Sequence, residues 1–126
     1  MKIGCACLLP DHVQHAAHLL VQAACKVPDG TQEPYLWWAW ETAKAIESGA
    51  AVGVFVGGNL VSVLLAKVTA GPVFVVLGEA SRWPADLRDT LAAYAASYVA
   101  SRFGGKLVRE HVVTSIQHDI IEPAAA

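Results

Sequence analysis

The chain has 126 residues, 55% of them apolar and only 16% charged, with nine Lys and Arg against eleven Asp and Glu and a net charge of −2. One domain fits that length; the composition excludes intrinsic disorder, and the lack of a basic excess excludes a phosphate-neutralising nucleic-acid surface. A mean hydropathy of +0.43 is high for so short a protein, so a membrane span is the first alternative to test.

Residues 2–9 read as a first strand, with Cys5 and Cys7 on one face of it. Only Lys2 precedes that apolar run, and Pro10-Asp11-His12 ends it, so no secretory signal is expected. Cys5, Cys7 and Cys25 therefore read as reduced, intracellular thiols with a packing role. Pro10 and Asp11 open an amphipathic helix to about Cys25, with Val13, Ala17, Leu20 and Ala24 on its apolar face. His12, His15 and His18 follow one another at i, i+3, i+6, a spacing that rotates around the helix and does not converge on one metal, so no metal site is expected. Pro34 starts a second helix that ends at Ser48-Gly49 and carries Tyr35, Trp37, Trp38 and Trp40. Trp37 and Trp40 share a face of it and Trp38 points elsewhere. Three indoles exceed what a small core holds, which assigns at least one to a groove or protein interface.

No charge occurs from Ser48 to Ala66, about the length of a membrane span. The run is rich in valine and is split by Gly57-Gly58-Asn59, which predicts two strands, about 51–56 and 60–68, joined by a tight hairpin turn. After Ala70-Gly71-Pro72 come a strand at 73–78, a turn over Gly78–Pro84 with Ser81 as N-cap, a helix at 82–103 and a stop at Gly104-Gly105. The long helix has an apolar stripe of Leu87, Leu91, Tyr94, Ala95 and Tyr98. Its N-terminus offers unpaired N–H groups to an anion, with Arg82 beside them; Glu79 opposes an anion there and Pro84 removes one donor. Residues 106–113 read as the last strand and 114–126 as a tail. There is no nucleophile-elbow motif, and Glu41, Glu79, Glu110 and His111 are the candidate general bases. The expected architecture is α/β (α+β): a single domain over 1–113 with a mixed, largely antiparallel sheet, one parallel β-α-β crossover and the order β-α-α-β-β-β-α-β.

That order resembles the N-acetyltransferases of the GNAT superfamily, particularly small divergent members encoded by phages and prophages. Leu8-Leu9-Pro10-Asp11-His12-Val13 resembles the family's entry into its first helix, and Ala45–Leu65 resembles its second helix and hairpin. Residues 73–113 resemble the strand-helix-strand that holds acetyl-CoA. The family's phosphate loop, (Q/R)-x-x-G-x-(G/A), aligns with Gly78-Glu79-Ala80-Ser81-Arg82-Trp83-Pro84, which lacks the glycine pair. The closing helix and strands, which in the family often carry a Tyr general acid, have only Thr114–Ala126 left, and no Tyr follows Tyr98, so the sheet is expected to stop after its fifth strand. These departures give the expected function: a degenerate GNAT-like binding or assembly module without a cofactor, cytoplasmic or, if phage-encoded, a virion-associated structural protein. It would engage a protein partner or a second copy through Trp37, Trp38, Trp40 and Trp83 and the open edge of strand 106–113. The alternative is an acetyl-CoA-dependent N-acetyltransferase with the cofactor against Val75, Leu77, Ser81 and Arg82.

Overall fold

The computed structural model describes residues 3–82, 85–112 and 115–123. Strand β1 (Ile3–Cys7) leads through a 3₁₀ turn at Pro10–His12 into α1 (Val13–Gln22), and α2 (Pro34–Ser48) follows. Strands β2 (Ala50–Val56), β3 (Asn59–Ala70) and β4 (Val73–Ser81) come next, then α3 (Ala85–Phe103), β5 (Lys106–Val112) and β6 (Ile116–Ile121). All six strands form one sheet in chain order, antiparallel except for the β4–β5 pair that flanks α3. The expected α+β class, mixed sheet and single parallel crossover are what the chain adopts.

Helices cover both faces of the sheet. On one side α3 buries Leu91, Ala95 and Val99 against Val52, Val54, Leu64, Phe74 and Leu107. On the other, α1 and α2 bury Leu20, Trp38 and Ala45 against Val63 and Leu65. Strands sandwiched in this way must be apolar at nearly every position, as β2 is throughout and β3 is from Leu60 to Ala66 except at Ser62. Much of the apolar content thus lies in strands that the chain's own helices cover. The uncharged run over Ser48–Ala66 is the β2–β3 hairpin, turned by Gly57 and Gly58 at φ 57° and 84°. No helix among the described residues is long and apolar enough to cross a membrane.

Three boundaries differ from expectation. Helix α1 proper spans Val13–Gln22 and closes with a Schellman arrangement, Cys25 N–H to Leu20 O and Ala24 N–H to Val21 O, which forces Ala24 to φ 55°. Strand β4 runs on to Ser81, because Gly78, Glu79 and Ala80 stay paired with β3 instead of turning. The sheet also has a sixth strand: residues 116–121, expected as tail, pair with β5 from Val112↔Ile116 to Leu107↔Ile121. Ile116, His118 and Ile120 alternate on an exposed face of β6, so the strand has no apolar periodicity strong enough to announce it. The open edge expected at 106–113 is consequently covered by the chain itself.

Candidate active site

Leu77 has no cross-strand partner. Ala66 pairs with Val76 and Leu65 with Gly78, so Leu77 is the extra residue of a β-bulge. A bulge inverts the facing of every later residue on its strand. Before it, Phe74 and Val76 point to α3; after it, Gly78 and Ala80 point to the α1–α2 layer and Glu79 to α3. The space for that inversion is made by Gly78, since a Cβ there would lie 2.4 Å from Cη2 of Trp38. Trp38 is fully buried over this glycine, and its Nε1 finds no hydrogen-bond partner among the described residues. The bulge also ends the parallel pairing: β4 and β5 are joined only at Val73↔Lys106, Phe74↔Leu107 and Val75↔Val108. From Val76 to Ser81 β4 has no ladder partner in β5, and this parting of the two strands is termed the cleft.

Charged groups meet in that cleft. Arg109 of β5 donates from Nε to Glu79 Oε2 at 2.7 Å and from NH2 to Oε1 at 2.8 Å, while Arg88 in the first turns of α3 donates to Oε1 at 2.9 Å. Burial alone would raise the Glu79 pKa, but the hydrogen bonds from Arg109 and then Arg88 outweigh it and hold the carboxyl below the ordinary glutamate value. Cys25 approaches from the end of α1, its Sγ–H donating to Glu79 O at 3.3 Å. Burial raises the Cys25 pKa more than this hydrogen bond lowers it, which keeps the group a thiol. Arg82 donates its backbone N–H to Val61 O and its guanidinium to Gln22 Oε1 at 3.0 Å, fastening the end of β4 to β3 and α1.

On the opposite face, between α2 and the β3–β4 pair, lies a pocket of about 160 Å³ lined by Glu41, Lys44, Ala45, Lys67, Val68 and the bulge residue Leu77. The Glu41 side chain is only 13% exposed, and its Oε1 accepts from Lys44 Nζ at 2.8 Å. Leu77 is thus both a lining residue of this pocket and the bulge beyond which β4 and β5 part.

Of the positions expected to hold a cofactor, Val75 is the last β4 residue paired with β5, Leu77 the bulge, Ser81 the end of β4 and Arg82 the residue after it. Ser81 is the last residue of β4, and the described part of α3 begins at Ala85. The tryptophans separate: Trp38 is core, Trp37 is half-buried edge-to-face against it, and Trp40 is 66% exposed. Trp38 therefore fills space over β4 and is not available to a partner, the reverse of what its helical position suggested. Trp83 and the side chain of His111 lie outside the described residues. Glu110 accepts from or pairs with His118 Nε2 at 3.2 Å on the exposed β5–β6 hairpin, away from the bulge. His12 Nδ1 accepts from Leu9 N–H, and His18 packs on Tyr35. No group of three or more His, Cys, Asp or Glu converges among the described residues. Sequence reasoning missed Arg88 and Arg109, whose only linear signal is that each follows an apolar residue on an element flanking the crossover.

No known protein-family profile matches the sequence, and no curated protein matches it significantly. Solved structures do match. The ribosomal-protein-S18-alanine N-acetyltransferase from Escherichia coli superposes with a TM-score of 0.68 at 10% identity, over 98% of this chain and 97% of that one. A GNAT family acetyltransferase from Brucella melitensis in complex with acetyl-CoA gives 0.67 at 10% identity, over 99% and 92%. Aminoglycoside 6'-acetyltransferase type Ii gives 0.65 at 18% identity, over 87% and 71%. The fold is that of the GNAT acetyltransferases. In this chain the bulge in β4 and the end of its pairing with β5 interrupt an otherwise continuous sheet. Around the parted strands Arg88 and Arg109 are held by Glu79, and Arg82 by Gln22.

Proposed function

We propose that the chain is an acetyl-CoA-dependent acetyltransferase that acylates a primary amine. The observation that carries this reading is the β4–β5 divergence after Val75↔Val108, bulged at Leu77 and rimmed by arginines. Likeness to acetyltransferase structures, one of them in complex with acetyl-CoA, supports it. Val76–Ser81 would hold the cofactor by backbone hydrogen bonds, and Arg82 would hold phosphate where the family uses glycines. Acetyl-CoA, when bound, supplies a thioester whose carbonyl carbon bonds to the amine nitrogen as the C–S bond breaks and the amine's proton leaves with the thiol. Glu79, with both oxygens bonded to arginines, is a structural anion here and no base. Glu41 is the candidate base that the fold brings to the bulge.

The binding-module reading loses two of its grounds, since β6 covers β5 and Trp38 is core. What supports it is the exposed pair Leu36 and Trp40, one turn apart on α2. Isothermal titration of the chain with acetyl-CoA discriminates the two. The enzyme reading expects saturable one-site binding weakened at least tenfold by Arg82→Ala; no heat at millimolar ligand overturns it.

A further inference from the structure

The pocket on the α2 face adds a substrate class to the proposed activity, and the inference rests on that activity. Arg88 and Arg109 lie on the α3 side of β4, whereas Glu41 and Lys67 line a pocket with the bulge residue Leu77 on the α2 side, a separate approach for an acceptor. At about 160 Å³ the pocket is well below the roughly 300–1,000 Å³ of drug-sized ligand sites. It has room for a short molecule only. Its charges are one carboxylate, Glu41, and two ammonium groups, Lys44 and Lys67. Lys44 engages Glu41 Oε1, which directs an incoming ammonium to Oε2. A simple alkylammonium would then face Lys67 with no compensating anion, and a polyamine would fare worse. A ligand carrying a carboxylate next to its amine satisfies every group: ammonium on Glu41, carboxylate on Lys67, and a small side chain against Ala45, Val68 and Leu77.

We infer that the acceptor is a small free α-amino acid or a close analogue, bound as its zwitterion by Glu41 and Lys67 on the α2 face. The test compares L-alanine, ethylamine and spermidine as acceptors by mass-spectrometric detection of the acetylated product, with acetyl-CoA titrated calorimetrically into each variant. The wild type is expected to favour alanine over ethylamine by at least tenfold in kcat/KM. Lys67→Glu is expected to raise the KM for alanine at least tenfold and narrow or invert the preference, and Glu41→Gln to weaken both monoamines. Acetyl-CoA affinity should stay within twofold in both variants, which also reports that they fold. Spermidine or ethylamine preferred by a wild type that binds acetyl-CoA overturns the inference and leaves the acetyltransferase standing, as does a Lys67→Glu variant with unchanged selectivity. A wild type that binds no acetyl-CoA overturns the activity and the inference with it.

Discussion

Gly78 and Trp38 form a single unit. The indole occupies the volume that any side chain at position 78 would need, and the bulge that turns position 78 toward α2 is the same bulge that sends Glu79 to the arginines. Gly78→Ala places a methyl group against Trp38 Cη2 and Cζ3, and the overpacking should cost about 1–3 kcal/mol. Urea denaturation measures it, and an unchanged midpoint would show that the indole moves aside freely. Sequence alone marked the tryptophans as the notable residues of α2 but could not rank them. Helical spacing gives directions around an axis, and which direction is inward depends on the facing strand, here on a glycine 40 positions later. A second residue carries strain. Ala24 sits in the left-handed region where α3's equivalent position has Gly104, at φ 64°. Ala24→Gly is expected to stabilise the fold by roughly 0.5–1 kcal/mol, because the steric penalty relieved exceeds the added chain entropy. Thermal unfolding followed by circular dichroism checks the sign.

At the scale of elements, the cleft is where β4, β5 and α3 are tied together by Glu79, Arg109 and Arg88. A carboxyl whose native pKa lies below its unfolded value contributes stability that is present above that unfolded value, about 4.3, and is lost as pH falls through the native one. Glu79→Gln should therefore be less stable than the wild type at neutral pH. The gap should close progressively on acidification below about pH 4 as the wild type's advantage titrates away. A gap independent of pH, in denaturation curves taken at several pH values, would mean that the ion pairs add nothing. This cluster was illegible in the sequence because its members stand 9 and 30 residues from Glu79 and meet only after the bulge has reversed the strand's facing. Elements set by local signals were legible: Pro34 and Ser48-Gly49 bracket α2, and Gly57-Gly58 turns the hairpin. Strand β6 was not, as it is half polar and gains its place only by pairing with β5.

For the whole molecule, the apolar excess, the covered sheet and the cleft belong to one design. Three helices bury both faces of the strands β2, β3 and β4, and among the described residues the strands part only between β4 and β5. The sequence conveyed the layers through apolar strands and amphipathic helices. It did not convey the opening, because a bulge is a property of pairing and Val73–Ser81 carries no linear mark of it. The proposed activity requires the parted β4 and β5 to form an acetyl-CoA site despite the missing glycines of the phosphate loop. Calorimetric titration with acetyl-CoA tests it most directly: one saturable site, weakened at least tenfold by Arg82→Ala, is the predicted result, and no heat at millimolar ligand would contradict it.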